Sequence, residues 1–193
     1  MLGLALALAV AGCGAGARSG ASTATPRTGT AAAGPFPALR PAPPPSGWRT
    51  ATLPSGAVLA YPASWHAIRT DSGTASAALT DAHGAFVGYL NLTPRQGGET
   101  PTNWPGFRVS HNRGEGDLVV TARGSARGVR FRDGARGTCV RDAYTTKTHL
   151  RFIEIACLLH GARADSVIVA AAAPAQWAAQ WPTLARAIGA VRS

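Results

Sequence analysis

Six arginines follow one another closely in the second half of the chain and could bind an anion. A single acidic residue, Asp133, lies among them. Strongly basic surfaces favour anionic partners. A solvated, arginine-rich surface without a ligand is the alternative interpretation. The six residues are Arg123, Arg127, Arg130, Arg132, Arg136 and Arg141.

The net charge of the chain is weaker evidence for an anionic partner than this cluster is. The 193-residue chain has a net charge of +10, of which the three arginines before Trp48 leave +7 for the remainder. Lys147 is the only lysine, and with so much Ala and Gly a GC-rich genome explains the arginine bias as readily as selection for phosphate binding. Nucleic acid is the poorer partner, because no aromatic residues for base stacking are interleaved with the arginines. We expect no nucleic acid partner.

Residue types used in catalysis are present, but their spacing matches no catalytic motif. The histidines show no zinc-type His-x-x-x-His spacing, and no Gly-x-Ser-x-Gly sequence occurs. Gly114-Glu115-Gly116 is predicted to be a turn, with no lysine positioned for phosphates. We therefore predict no catalytic residue, no metal site and no cofactor; a hydrolase whose residues meet only in the fold is the remaining alternative. The histidines are His66, His83, His111, His149 and His160.

Apolar runs separated by turn residues predict a sheet with two helices. Polar residues before Trp104 predict the start of a short helix that ends at Gly114. After Pro174, apolar residues at helical spacing predict an amphipathic helix, which Pro182 should kink or restart. That stripe is Trp177, Trp181, Leu184, Ile188 and Val191, and its tryptophans are expected in the core. The predicted strands are Trp48–Leu53, Ala57–Tyr61, Ala75–Thr80, Phe86–Leu92, Leu118–Arg123, Cys139–Thr145, Leu150–Leu159 and Ser166–Ala172, with a weaker one between Arg127 and Arg132.

The amino terminus carries a targeting pattern. An apolar run from Leu2 to Val10 is too short to span a bilayer, which takes roughly 20 apolar residues, but has the length of a signal-peptide core. Val10-Ala11-Gly12-Cys13 at its end resembles the lipobox of bacterial lipoproteins. The resemblance implies a signal peptide at 1–12, a lipid on Cys13 and an extracytoplasmic protein anchored to the cell membrane. No Lys or Arg precedes the run, and an ordinary apolar terminus with a chance cysteine is the alternative.

Residues 13–47 are predicted to form a tether. They are rich in Ala, Gly, Ser, Thr and Pro, with no acidic residue and few large apolar ones. Such a segment buries too little surface to offset chain entropy, so we expect disorder. Pro41-Ala42-Pro43-Pro44-Pro45 adds a stiff spacer. A single α+β domain is then expected over 48–193.

The lipobox also implies a role for the other two cysteines. In an oxidising compartment disulfides form and persist, so Cys139 and Cys157 should pair; in a cytosolic protein they would more readily be two buried thiols. If they face each other, the turn lies near Lys147-Thr148 and Asp142 stands opposite Glu154, which is unfavourable. Diagonal pairing, a neutral acid, or a cation such as Ca²⁺ or an arginine between them would resolve the conflict. The arginines considered are Arg130, Arg132, Arg141 and Arg151.

The domain resembles the PsbP-like fold. The matching features are Tyr61-Pro62-Ala63-Ser64-Trp65, the apolar strand Val167 to Ala172, and the helix from Trp177 to Ile188. The resemblance implies an antiparallel sheet flanked by a short central helix and a C-terminal amphipathic helix. It also implies a domain that docks on partners and catalyses nothing. It supplies no functional residue.

Together these patterns predict a membrane-anchored lipoprotein with a non-catalytic, partner-binding domain. The partner is expected to be an envelope protein. Binding of an anionic lipid or a cell-wall polymer through the 123–141 arginines is the alternative, and an unrecognised hydrolase is a third.

Overall fold

The computed structural model of the protein describes residues 36–193. It shows the predicted α+β architecture: a seven-stranded antiparallel sheet of order β3-β4-β5-β9-β8-β7-β6, with β1 and β2 forming a separate hairpin. The strands are β1 (Arg49–Thr52), β2 (Val58–Tyr61), β3 (His66–Ile68), β4 (Ala75–Thr80), β5 (Phe86–Pro94), β6 (Val119–Arg130), β7 (Arg136–Thr145), β8 (Arg151–His160) and β9 (Asp165–Ala172). The helices are a 3-10 turn (Phe36–Ala38), α1 (Trp104–Gly114) and α2 (Trp177–Ala190). The signal peptide, the lipobox and Cys13 lie outside the described residues.

The sheet is covered on both faces. Helix α2 and the β1–β2 hairpin pack on one face, where Leu59, Ile155 and Leu184 belong to the larger core cluster. Helix α1 packs on the other face, where Trp104 contacts the smaller cluster and its indole N–H donates to the Ala156 carbonyl at 3.0 Å. Because the central strands are buried on both sides, β8 and β9 are apolar runs without alternation.

Most predicted elements are confirmed within a few residues, and three differ. Strand β3 was not predicted. The weaker strand at 127–132 belongs to β6, which is continuous from Val119 to Arg130 and absorbs register shifts at Ala122/Gly124 and Ala126/Val129. Gly124 and Gly128 have φ of 149° and 67°, which a residue with a Cβ adopts only with strain. Helix α2 continues through Pro182.

Residues 36–47, here called the N-terminal segment, pack on the domain, which corrects the prediction that the tether extends to 47. Leu39 is only 6% exposed within the larger core. The Ala42 N–H donates to the Gly189 carbonyl at 3.1 Å. Gly189 has no Cβ, and a Cβ there would collide with the Arg40 carbonyl. The average composition of 13–47 concealed this contact because it depends on one leucine and one distant glycine.

Among the described residues, the helices are too short or too polar to cross a membrane.

Candidate functional site: two clefts on opposite faces of the sheet

The β7–β8 hairpin has the predicted register. Cys139 lies opposite Cys157 and the two form a disulfide that spans 18 residues of sequence. The turn falls at Thr146–Leu150, where the Thr146 N–H donates to the Leu150 carbonyl at 2.8 Å. The prediction of the disulfide is confirmed, and with direct rather than diagonal pairing.

The same register places Asp142 directly opposite Glu154, and helix α1 supplies the neutralising charge. The Arg108 guanidinium donates to both carboxylate oxygens of Glu154, through Nε at 2.7 Å and an NH₂ group at 2.8 Å. Burial lowers the pKa of Arg108, but the Glu154 charge outweighs it, and the net pKa lies above its ordinary value. The prediction that Arg130, Arg132, Arg141 or Arg151 fills this role is wrong. Sequence reasoning missed Arg108 because it lies 46 residues from Glu154 and reaches it only through the packing of α1 on the sheet.

The surroundings of Asp142 favour the neutral form of its carboxyl group. Its side chain is fully buried, and neither carboxylate oxygen has a hydrogen-bond partner among the described residues. Burial, and then the charge of Glu154, raise the pKa of Asp142 from 3.8 to about 8. Two of the predicted resolutions therefore operate together: an arginine pairs with one acid and the other acid keeps its proton.

A cleft of about 420 Å³ opens above this pair on the α1 face. We call it the acidic cleft, because Asp71, Glu115, Asp117 and Glu154 line it. Burial raises the pKa of Tyr144, which also lines it. Within residues 36–193 no group of three or more His, Cys, Asp or Glu side chains is placed to hold a metal ion.

A second cleft, of about 410 Å³, lies on the α2 face. We call it the basic cleft, because its charged lining residues are Arg123, Arg141 and Arg151. The Arg141 guanidinium stands 5.5 Å from the centre of the Trp177 ring, a cation–π distance. Its Nε atom is buried and has no hydrogen-bond partner in the described part of the chain. The remaining lining residues are uncharged, and include Val119, Ala143 and Ile153.

The six predicted arginines are distributed over three depressions of the surface. Only Arg123 and Arg141 line the basic cleft. Arg127 and Arg136 line a smaller depression beside His160, and Arg127 donates to the Thr102 carbonyl at 3.3 Å. The remaining two, Arg130 and Arg132, lie with Arg136 around Pro41 of the N-terminal segment.

Arg151 is a site residue that the predicted cluster omitted. It lies opposite Thr145 across β7–β8. The register that pairs Cys139 with Cys157 already places Arg151 opposite Thr145, so the sequence contained a signal for its position.

Strand β6 lies at an edge of the sheet. This position explains why some of the clustered arginines are present even if they bind no ligand. Edge strands expose unpaired backbone groups, and charged side chains and bulges protect them from pairing with other chains. Strand β6 has two bulges and carries Arg123, Arg127 and Arg130. A solvated surface without a ligand is therefore a better interpretation for Arg127 and Arg130 than for the arginines of the basic cleft.

One pair resembles part of a catalytic triad. His160 Nδ1 lies 2.9 Å from Asp165 Oδ1. In nucleophilic catalysis the other ring nitrogen must accept a proton from a hydroxyl or thiol. His160 Nε2 is buried and has no hydrogen-bond partner among the described residues. Within residues 36–193, no hydroxyl or thiol therefore lies within hydrogen-bond distance of His160 Nε2.

Comparison with solved structures identifies the fold. The chain is similar to the solution structure of cyanobacterial PsbP (CyanoP) from Synechocystis sp. PCC 6803, with a TM-score of 0.56 and 10% identity over 77% of this chain and 93% of that chain. It also matches the crystal structure of PA94 from Pseudomonas aeruginosa, a protein of unknown function described as a putative regulator, with a TM-score of 0.45 and 12% identity over 70% of this chain and 89% of that one. No family model and no curated protein matches the sequence. The domain has the PsbP-like fold that the sequence resemblance predicts.

Proposed function

We propose that this is a lipid-anchored extracytoplasmic protein whose PsbP-like domain binds an anionic partner without catalysis. The observation that carries the proposal is the basic cleft. Three guanidinium groups line it, and none of its lining residues is acidic. A partner with phosphate or carboxylate groups fits this chemistry, since such groups accept paired hydrogen bonds from arginine.

The buried Nε donor of Arg141, which has no acceptor among the described residues, supports a bound anion. A buried donor without an acceptor costs about 1–3 kcal/mol. Arg141 Nε is such a donor, while the Trp177 ring beside the guanidinium helps to fix its position. An anion in the basic cleft would supply the missing acceptor.

The anchoring part of the proposal is supported by two features. The Val10-Ala11-Gly12-Cys13 sequence resembles a lipobox, and the Cys139–Cys157 disulfide suits an oxidising compartment. Changing Cys13 to Ala should move the full-length protein from the membrane fraction to the soluble fraction of expressing cells. Equal membrane retention of both proteins would reject the lipid anchor.

Anion binding can be measured on full-length protein with Cys13→Ala, so that no acyl chain contributes. The probe is a soluble polyphosphate, titrated by calorimetry at several salt concentrations. We expect saturable binding that weakens steeply as salt rises, because screening reduces the attraction of exposed charges. Arg141→Gln should weaken the affinity at least about tenfold, in line with 1.5–3 kcal/mol for a hydrogen bond to a charged group.

Arg132→Gln provides the matched control. It removes the same charge from an exposed arginine of the predicted cluster that does not line the basic cleft. We expect it to change the affinity little. Equal losses in the two variants would show that overall charge, not the basic cleft, governs binding, and a wild-type protein that does not bind polyphosphate would reject the proposal.

A protein partner in the cell envelope is the second candidate. The acidic cleft on the opposite face favours it, because a cationic protein surface would be complementary to the residues there. In-cell crosslinking followed by mass spectrometry distinguishes the two. One dominant protein partner, lost on substitution of Glu115 and Asp117 but kept with Arg141→Gln, would favour this candidate.

A further inference from the structure

The four exposed large hydrophobic residues of the described chain are the starting point. A single exposed apolar residue is unremarkable, whereas a group of them marks an interaction surface. We call this group the apolar rim. Its members and their exposed fractions are Phe86 (40%), Leu118 (56%), Val119 (59%) and Leu150 (50%).

The strand register places three members of the apolar rim side by side. Val119 lies opposite Thr145, which lies opposite Arg151, in one row across β6, β7 and β8. Leu118 is one residue further out, and its N–H donates to the Thr145 carbonyl at 2.7 Å. Leu150 is one residue further out on β8, directly before Arg151.

Phe86 lies at the same end of the sheet. Gly88 of β5 is opposite Ala172 of β9, and Ala172 is opposite Ile153 of β8. Phe86 and Arg151 each lie two residues from that row, in the same direction along the sheet. The whole apolar rim therefore follows one end of the sheet.

The basic cleft adjoins this rim. Val119 is an apolar rim residue that also lines the basic cleft, together with Arg123, Arg141 and Arg151. Along β7, Arg141 is four residues from Thr145, or about 13 Å at the rise of a strand. Apolar side chains at the sheet end thus lie beside a cleft lined by three guanidinium groups, and amphipathic surfaces combine these two features when they bind anionic membranes.

The acidic residues near this end do not line the basic cleft. Glu115 and Asp117 line the acidic cleft on the α1 face. Asp81 is engaged within its own turn, where its carboxylate accepts hydrogen bonds from the backbone N–H groups of His83 and Ala85 at 2.8 and 3.0 Å. Positive charge therefore dominates on the α2 side of the rim.

We infer that the apolar rim and the basic cleft form one surface that docks the domain on an anionic lipid bilayer. This inference rests on the proposed function and names its partner. The leucines enter the headgroup layer and the arginines pair with lipid phosphates. The first described residue, Phe36, contacts the Gly124 position next to Arg123, so the chain leading from Cys13 joins the domain beside this surface. Phe36 lies 23 positions after Cys13, a separation of at most about 80 Å, so a lipid on Cys13 keeps the domain close to the bilayer.

The test uses the full-length protein with Cys13→Ala and sedimentation with two kinds of vesicle: phosphatidylcholine alone, and phosphatidylcholine mixed with phosphatidylglycerol. We expect binding to the mixed vesicles only. The double substitution Leu118→Ser and Leu150→Ser should weaken it at least about tenfold, since each leucine loses its apolar burial. The double substitution to Met keeps the apolar character and should retain binding.

The outcomes separate this inference from the proposed function. Loss of vesicle binding in the Ser variant, with polyphosphate binding unchanged, supports a lipid-docking surface. Polyphosphate binding without vesicle binding, or vesicle binding that the Ser variant retains, would overturn the lipid inference and leave the anion-binding proposal standing. Failure to bind either probe would reject both.

Discussion

The buried acid Asp142 should make the protein less stable as pH rises. Its pKa is about 8 in the folded protein against an ordinary value of 3.8, so the folded state holds the proton more strongly than the unfolded state. Between these two values unfolding releases a proton, and a higher pH therefore favours unfolding. The slope is about 1.4 kcal/mol per pH unit, which amounts to about 4 kcal/mol between pH 5 and pH 8. That is a large part of the 5–15 kcal/mol typical of a folded domain.

Asp142→Asn tests this directly, because an amide mimics the neutral acid and does not ionise. The assay is urea unfolding of the oxidised protein at pH 5, 6.5 and 8, with the variant compared with wild type at each pH. The free energy of unfolding of the variant minus that of wild type should increase by about 4 kcal/mol between pH 5 and pH 8. Any constant cost of placing an amide at this position cancels in the comparison across pH.

Asp71→Asn serves as the control, since Asp71 is an exposed carboxylate on the same face. Its difference from wild type should change little with pH. Parallel stability curves for Asp142→Asn and wild type would refute the assignment of the buried proton to Asp142. Parallel curves are the result expected if Asp142 is already ionised in the folded state across this pH range.

Three further predictions concern contacts that stabilise the domain and its N-terminal segment. Arg108→Ala leaves Glu154 buried without its partner and should cost 3–5 kcal/mol, measured by urea unfolding; a loss below about 1 kcal/mol would mean that water replaces the guanidinium. Replacing both Cys139 and Cys157 by Ser should cost about 3 kcal/mol, and a midpoint in urea equal to that of the oxidised protein would contradict this. Gly189→Ala should displace the N-terminal segment, so that thermolysin cuts it on the amino side of Leu39 faster than in wild type while the rest of the domain stays intact. An unchanged cleavage rate would show that the segment does not depend on this contact.

The β7–β8 hairpin shows how much of a local structure can be predicted from the sequence. Two cysteines, a polar turn between them and antiparallel pairing suffice to place Asp142 opposite Glu154. The consequence, an unfavourable pair of acids, follows from register alone. Its resolution does not, because Arg108 comes from a helix that reaches β8 only when the domain folds.

The arginine cluster shows the opposite case. Proximity along the chain suggested one patch, but a strand sends alternate residues to opposite faces and β6 has two bulges that change the alternation. Arg141 and Arg136 lie on the same strand yet line different clefts. Arg151, outside the run, belongs with Arg141 because two strands pair.

The sequence by itself predicted the α+β class, the order of all elements except β3, and a pairing of Cys139 with Cys157 whose register the structure then fixed. These depend on local apolar periodicity, turn residues and pairing, which neighbouring residues specify. Only the tertiary structure decided that Arg108 neutralises Glu154, that Leu39 is buried, and that the arginines line three different depressions. Those outcomes depend on which surfaces meet when helices and distant strands pack, and local residue patterns do not encode that geometry.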